Sequence, residues 1–171
     1  EKWRTGCFSC PEKRQYPASL LLDNSSRNHQ QKKALFTGVR GLHLVSPSQW
    51  LADLIAQSYL KEYPVSVIPN GVDRSKFCPA SEDVRQRLGL QGKRVYLSAA
   101  GHWYDRKGLY DLTNLARLLN TEEKLVVVGL SEKQRRDMPD NVLALGHTGS
   151  VQGLAALYTM ADVFINPSRE D

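Results

Sequence analysis

A glycine-bounded basic loop at residues 101–108 holds the residue types best suited to chemistry. Gly101 follows a short apolar run, His102 comes next, and Lys107 and Gly108 precede a stretch of helical spacing. A helix N-terminus presents free N–H groups and a partial positive charge, and glycine permits close backbone approach. His102 and Lys107 could therefore hold two phosphate charges. An ordinary strand–helix loop with exposed cations would have the same composition.

This loop matches neither G-x-G-x-x-G nor a P-loop, which argues against dinucleotide oxidoreductases and P-loop NTPases. Carboxylates flank the last apolar run, at Asp162, Glu170 and Asp171. A carboxylate at the carboxyl end of a strand can accept hydrogen bonds from sugar or ribose hydroxyls. Each of these side chains could equally be a solvated loop charge.

Cys7 and Cys10 have the spacing of half a zinc site or of a redox pair. Zinc needs four ligands, and neither Cys78 nor the four His residues lie at a typical paired spacing. Free loop thiols are the favoured interpretation. Three cysteines cannot form a disulfide scaffold, so we expect a reducing, cytoplasmic setting.

The chain has 171 residues, of which 41% are apolar and 24% are charged, as in ordinary globular proteins. Its apolar runs are too short for a membrane span, and no signal peptide is visible at its start. The net charge of +5 favours acidic partners such as nucleic acid, anionic lipid or phosphorylated small molecules. Nucleic acid is disfavoured because the basic pairs are dispersed and no recognition module accompanies them. These pairs are Lys32-Lys33, Lys93-Arg94, Arg106-Lys107 and Arg135-Arg136.

From residue 41 onward, short apolar runs alternate with helical patterns, which predicts an α/β fold with parallel sheets covered on both faces. The predicted strands are 42–45, 65–68, 95–100, 124–128, 142–145 and 163–165. The predicted helices are 30–37, 48–61, a short one capped by Ser81, 109–119, 131–137 and 152–160. Such sheets bind ligands at the carboxyl ends of their strands. The helix 48–61 could instead lie on a membrane with Trp50 and Leu51 inserted, although packing on a sheet is favoured.

Several segments, taken in order, resemble glycosyltransferase family 4. Residues 46–51 (SPSQWL) and 67–73 (VIPNGVD), with Phe77 four residues on, are similar to the junction between that family's two domains. Gly101 with Lys107-Gly108 resembles its Gly-Arg…Lys-Gly phosphate loop at the same spacing. Residues 142–146 resemble the strand before its nucleobase loop. Residues 157–168 (LYTMADVFINPS) are similar to the segment that leads to its paired carboxylates.

The resemblance covers residues 41–171 and implies an incomplete GT-B fold with Rossmann-like parallel sheets. Residues 1–73 would be the last part of the N-terminal acceptor domain, and 74–92 the connector between domains. Residues 93–171 would form the first part of the C-terminal nucleotide-sugar-binding domain. We therefore expect this fragment to be inactive by itself.

The resemblance also implies a set of site residues. Asp171 falls on the first catalytic carboxylate, where Glu is commoner. The donor phosphates would contact Gly101, His102, Arg106 and Lys107. The nucleobase would lie against Leu145, Gly146 and His147. The hinge and cleft would include Asn70, Gly71 and Asp73, and no metal ligand is implied.

His102 departs from the family pattern, which has Arg at that position. A neutral His donates one hydrogen bond, whereas Arg is always charged and can form two bonds to one phosphate. Arg106, next to Lys107, could supply the missing cation.

The implied function is retaining transfer of a sugar from a nucleotide-sugar donor to a saccharide or lipid-linked acceptor in bacterial polysaccharide synthesis. The donor would be a UDP- or GDP-sugar, and no cofactor would be required. The expected location is the cytoplasm, with peripheral contact to the inner membrane left open, and no nucleic-acid partner is expected. The alternatives are a GT-B-like nucleotide-sugar epimerase and a non-catalytic basic binding module. The donor sugar, acceptor and linkage stay open.

Overall fold

The computed structural model describes residues 2–4, 6–9, 22–81 and 83–169. The chain divides into two compact units, Glu1–Gly71 and Val72–Asp171. Each unit contains its own parallel sheet. The α/β class with parallel sheets that the sequence predicts is confirmed.

The first unit has a two-stranded parallel sheet and, among its described residues, two α-helices. Its elements are a 3-10 turn Lys2–Arg4, α1 Ser25–Phe36, β1 Leu44–Ser46, α2 Gln49–Ile55 and β2 Val65–Val67. Helix α2 begins where predicted, because the Ser48 hydroxyl accepts the amide of Leu51. It ends earlier than predicted, and tight turns follow it. The Ser58 hydroxyl donates to the carbonyl of Ile55 there, an alternative to continued helical bonding.

The second unit is a four-stranded parallel sheet with helices on both faces. Its strands are β3 Arg94–Ala99, β4 Glu123–Val128, β5 Val142–Leu145 and β6 Val163–Phe164. Its helices are α3 Val84–Arg87, α4 Leu109–Ala116, α5 Glu132–Arg136 and α6 Val151–Met160, and a 3-10 turn spans Asp105–Lys107.

The strand order of this sheet is β5-β4-β3-β6. The chain thus builds outward from β3 to β4 and β5, and then returns to the other side of β3 to place β6. Such a reversal is a topological switch point, where the loops at the carboxyl ends of two neighbouring strands diverge and leave a crevice. The hydroxyl of buried Ser98 donates to the carbonyl of Ile165 at 2.7 Å and holds β3 against the end of β6.

The apolar run of β4 is buried on both faces of the sheet. Leu125 and Val127 pack with α4, whereas Val126 and Val128 pack with α3 and α6. All four side chains are at most 4% exposed. The segment 74–92, predicted as a connector, lies within the second unit. Its Val84 belongs to the same buried cluster as Val126 and Val128.

Two local details differ from the sequence-based expectation. Helix α3 is capped by Asp83, whose carboxylate accepts the amide of Gln86 at 3.0 Å, and not by Ser81. The first helix begins at Ser25 and not near residue 30. Among the described helices, none combines the length and the apolar character that crossing a membrane requires.

Candidate functional site

A crevice of about 320 Å³ lies at the switch point between the carboxyl ends of β3 and β6. One wall is the loop after β3 and the other is the segment after β6. We call it the switch-point crevice, and its lining residues are Ala99, Ala100, Gly101, His102, Trp103, Tyr104, Lys107, Phe164, Asn166 and Ser168. Three of the four predicted phosphate residues therefore meet in one place.

The 3-10 turn and a left-handed glycine bring the loop into the start of α4. The amide of Lys107 donates to the carbonyl of Tyr104, and Gly108 follows with φ +74°. A Cβ atom at Gly108 would lie 2.5 Å from the carbonyl oxygen of Pro167. Glycine is required here for both its conformation and its size, because the two walls of the crevice touch at this point.

Buried Trp103 anchors the middle of the loop to the sheet. Its indole N–H donates to the carbonyl of Val128 at 2.9 Å. Its own carbonyl accepts the side-chain amide of Gln134 at 3.1 Å. Gln134 belongs to the capping box of α5, so the loop is fixed to β4 and to α5 at once.

Three rings line the rim of the site. The rings of His102 and Tyr104 are stacked with centroids 6.1 Å apart, and those of His102 and His147 lie 5.7 Å apart. His147 also lines an adjoining hollow of about 290 Å³ together with Gly101 and Gly129. The predicted phosphate loop and the predicted nucleobase segment are therefore neighbours.

The cations near the crevice differ in placement. Lys107 is half-buried and lines the crevice. The side chain of Arg106 is exposed and is not part of that lining. The carbonyl of Arg106 instead accepts the amide of Arg169 at 2.9 Å. The guanidinium of Arg169 pairs with Asp111 on α4 at 3.1 Å, so the segment after β6 is tied to the opposite wall.

Leu145 and Gly146 contribute their backbone carbonyls. Leu145 accepts the amide of Leu130, and Gly146 accepts the amide of Gly129, at 3.1 and 3.2 Å. Gly129 has φ +90°, and a side chain there would collide with the carbonyl of Ala100. The loops after β3, β4 and β5 are consequently packed backbone to backbone beside the His147 hollow.

The predicted hinge residues are exposed at the division between the units. Asn70 and Gly71 end the first unit, and Asp73 lies at the start of the second. The Asp73 carboxylate accepts the hydroxyl and the amide of Ser75 and pairs with Lys76 at 3.2 Å. The Ser75 hydroxyl and then Lys76 lower the pKa of Asp73 below its usual value, so this carboxylate is ionised and organises a local turn.

Of the three carboxylates that flank β6, the structure places one, Asp162. Asp162 lies at the amino end of the strand, away from the crevice, where it accepts the amide of Val95 and pairs with Arg85 at 2.7 Å. These contacts make it a structural residue. Glu170 and the predicted catalytic Asp171 lie outside the described residues, so the role of Asp171 stays a prediction.

The zinc and nucleic-acid hypotheses gain no geometric support in the described part of the chain. No group of three or more His, Cys, Asp or Glu side chains there could hold a metal ion. Cys7 is a free thiol, and Cys10 lies outside the described residues. The basic pairs fall on separate elements, with Lys32-Lys33 on α1 and Arg135-Arg136 on α5.

A second groove, of about 520 Å³, lies at the amino end of the same sheet, with Lys93, Asn120 and Lys124 among its lining residues. It is larger than the switch-point crevice. We favour the crevice as the ligand site, because open α/β sheets bind ligands at the carboxyl ends of their strands, where helix N-termini point.

The sequence predicts the loop 101–108 but not the contacts that support it. Trp103 was not singled out, although an indole in a polar loop is a usable signal. Phe164, Asn166 and Ser168 enter the lining because β6 pairs with β3. The segment from Asn166 onward is predicted at the ligand-binding edge, because it follows a strand of a parallel sheet, but only the strand order places it beside the loop 101–108.

No protein-family model matches the chain, and no curated protein sequence matches it. Solved structures do match. Sucrose-phosphate synthase from Thermosynechococcus elongatus superposes with a TM-score of 0.68 at 20% identity, over 96% of this chain and 44% of that one. HepE of Anabaena, in complex with UDP and glucose, matches with a TM-score of 0.62 at 19% identity, over 84% of this chain and 42% of that one.

WaaG, described as a glycosyltransferase involved in lipopolysaccharide biosynthesis, matches with a TM-score of 0.58 at 19% identity. That match covers 97% of this chain and 49% of WaaG. The chain thus spans about half the length, or less, of these solved structures. At such identities the likeness establishes the fold, which is the Rossmann-like α/β fold of GT-B glycosyltransferases.

Proposed function

We propose that this chain is part of a retaining glycosyltransferase of family 4 type, and that the switch-point crevice binds the diphosphate of a nucleotide-sugar. The observation that carries the proposal is the meeting of Gly101, His102 and Lys107 with the segment after β6 in one crevice. Sugar transfer itself is proposed for a longer protein that contains this chain, since the matched structures are about twice its length.

Sugar transfer requires fixed positive charge where the diphosphate leaves. When the bond between the sugar and the diphosphate breaks, negative charge develops on the leaving diphosphate, and preorganised donors stabilise it. The Lys107 ammonium and the N–H groups at the start of α4 are such donors. Trp103 and Gly108 hold these donors in place, so little reorganisation is needed during the reaction.

The donor class is a UDP- or GDP-sugar, and the proposed acceptor is a saccharide or lipid-linked saccharide of bacterial polysaccharide synthesis. HepE, which shares the fold, has been crystallised with UDP-glucose, which supports a nucleotide-sugar here. No metal or other cofactor is part of the proposal, because Lys107 and the α4 N-terminus offer the charge that the diphosphate needs. The proposed location is the cytoplasm.

Titration calorimetry of the 171-residue chain with UDP and with GDP tests the proposal. We expect one of the two nucleotides to bind with one-to-one stoichiometry. Lys107→Met should weaken that binding by about tenfold or more, because it removes a charged hydrogen bond to phosphate. Lys133→Met, which removes an exposed lysine from α5, is the matched control and should leave the affinity within about twofold. Equal losses in both variants would refute the assignment of the crevice.

A further inference from the structure

Two imidazole rings lie side by side at the carboxyl end of the second unit's sheet. His102 follows β3 and His147 follows β5, and their ring centroids are 5.7 Å apart. Both side chains are exposed. His102 lines the switch-point crevice and His147 lines the adjoining hollow, and Gly101 lines both. A ligand that fills the crevice therefore lies within reach of the two rings.

Positive charge outweighs negative charge around this pair. Lys107 lines the switch-point crevice together with His102. Among the described residues, neither the crevice nor the hollow has an Asp or Glu in its lining. Asp105 and Arg106, in the 3-10 turn, are exposed and belong to neither lining. A bound anion would therefore supply the negative charge that is missing beside the rings.

In the helices that follow these loops, the acidic side chains of the first turns are held in ion pairs. On α4, Asp111 pairs with Arg169 at 3.1 Å. On α5, Glu132 pairs with Arg135, also at 3.1 Å. The first turn of α6 contains no acidic side chain. The first turns of α4, α5 and α6 therefore offer the rings no carboxylate that is not already paired.

The polar groups that face the pair from other elements are uncharged. Asn166 and Ser168 line the crevice from the segment after β6, and Thr148 lines the hollow from the loop after β5. Tyr158 lines the hollow from α6, and burial raises the pKa of its phenol above the usual value, so it is neutral near neutral pH. Within the described lining, Lys107 is thus the one permanent charge near the rings.

The arrangement favours one charged imidazole and disfavours two. The rings of His102 and Tyr104 are stacked at an interplanar angle of 15°, and the face of an aromatic ring attracts a cation. A second charge on His147 would be repelled by the charge on His102. An anion within about 4–6 Å favours the charged form of an imidazole by about tenfold or more. Anion binding at this pair should therefore be coupled to the uptake of one proton.

We propose that His102 and His147 together hold the diphosphate of the nucleotide-sugar, and that His102 takes up a proton from solution when the diphosphate binds. Protonated His102 supplies the charge that the family pattern places on an Arg. Neutral His147 donates one hydrogen bond, which assigns it to the diphosphate and not to the nucleobase. The inference rests on the proposed function, because it needs a diphosphate in the crevice.

Calorimetric titration of the 171-residue chain with UDP-glucose and with GDP-glucose, at pH 6, 7 and 8, tests the inference. In a nucleotide-sugar both phosphates are esterified on each side and do not titrate in this range, whereas a terminal phosphate titrates near about pH 6. The affinity should be about three- to tenfold higher at pH 6 than at pH 8, because an imidazole changes charge in this interval. Titrations at pH 7 in buffers of different ionisation enthalpy should show the uptake of about half a proton or more.

Substitutions separate the two rings. His102→Gln should abolish the pH dependence and leave the affinity near its wild-type value at pH 8. His102→Arg carries a permanent charge, so it should keep at pH 8 the affinity that the wild type has at pH 6, without proton uptake. His147→Phe keeps an aromatic ring but removes the hydrogen bond, so affinity should fall about two- to tenfold at each pH while the pH dependence persists.

His43→Gln is the matched control. This exposed histidine lies in the first unit, where its ring contacts the hydroxyl of Ser66. The substitution should leave the affinity within about twofold at each pH and should leave the proton uptake unchanged. Circular dichroism verifies that each variant is folded, and the wild-type pH series needs no variant.

Four results would overturn the inference. An affinity that is equal at pH 6 and pH 8 would exclude the proton uptake while leaving the nucleotide site in place. A pH dependence that persists in His102→Gln would place the proton on another group. An unchanged affinity in His147→Phe would remove that ring from the diphosphate and return it to the nucleobase. Absence of binding at all three pH values would refute the proposed function as well.

Discussion

The guanidinium of Arg169 donates to both carboxylate oxygens of Asp111, at 3.2 and 3.1 Å. Arg169 lies in the segment after β6 and Asp111 in the first turn of α4. The pair, together with the bond from the Arg169 amide to the Arg106 carbonyl, joins the two walls of the switch-point crevice. The crevice is thus held together by groups that lie outside its lining.

Breaking the Arg169–Asp111 pair should weaken nucleotide binding at little cost in stability. The Arg169 side chain is exposed and that of Asp111 is partly exposed, so Arg169→Gln or Asp111→Asn should change the free energy of unfolding by less than about 1 kcal/mol. We expect a two- to fivefold loss of UDP or GDP affinity, about 0.5–1 kcal/mol, because the segment after β6 is then no longer paired with α4. In a double-mutant cycle the second substitution should add almost nothing. Fully additive losses would show that the two residues act separately.

Gly108 should tolerate no side chain. Gly108→Ala forces a Cβ onto Pro167 at a backbone conformation that L residues disfavour, so urea unfolding should show a loss of about 1–3 kcal/mol. Gly149→Ala is the control, because a Cβ there meets nothing within 4 Å. That substitution should change stability by less than about 0.5 kcal/mol. Equal effects of the two substitutions would contradict the close approach of the two walls.

Trp103 should position the phosphate loop through its indole N–H. Trp103→Phe keeps an aromatic ring but removes the bond from the indole to the carbonyl of Val128, which still accepts the amide of Ala100, so the free energy of unfolding should fall by about 0.5–1.5 kcal/mol. Nucleotide affinity should fall with it. Trp50→Phe, at a side chain that is 66% exposed, should change neither quantity in denaturation and calorimetry. An unchanged nucleotide affinity in Trp103→Phe would contradict the role of the indole N–H in positioning the phosphate loop.

The sequence predicted the elements of the second unit better than their arrangement. β5 was predicted at its observed bounds, and β4 to within one residue, because Leu125–Val128 is apolar on both faces of a buried strand. The strand order was not predictable in this way, since pairing of β6 with β3 depends on packing between distant segments. Helix α2 was predicted too long, because helical spacing continues past the serine that competes for its last carbonyls.

The candidate site was predictable only where a local pattern encodes it. Gly101, His102 and Lys107 stand together in one loop, and their shared crevice follows from the loop itself. Asn166 and Ser168 reach the same crevice through tertiary structure, which no local pattern shows. Whether Arg106 lines the crevice likewise depends on how the 3-10 turn is oriented, which its sequence position beside Lys107 does not show.

Asp162 should make stability depend on pH in the acid range. The amide of Val95 and then the Arg85 guanidinium lower the pKa of this carboxyl in the folded state below its usual value of about 3.9. The carboxylate therefore stabilises the fold above about pH 4. That contribution is lost as the pH falls through the lowered folded-state pKa.

Asp162→Asn tests this expectation. At neutral pH the variant should be less stable by about 1 kcal/mol, a modest value because the ion pair is partly exposed. The difference should shrink as urea denaturation is repeated at falling pH, toward zero once the wild-type carboxyl is protonated. A stability gap that is constant from neutral to acid pH would show that the effect is not electrostatic.

The proposed donor site is tested most directly by mapping UDP and GDP on the chain by NMR. Amide shifts in a ¹H–¹⁵N titration should cluster in the loop 101–108 and in the segment 166–169, with smaller shifts near His147. The same nucleotide should leave the amino-end groove around Lys93 and Lys124 unperturbed. Shifts confined to that groove, or none at millimolar nucleotide, would contradict the assignment of the switch-point crevice as the nucleotide-sugar site.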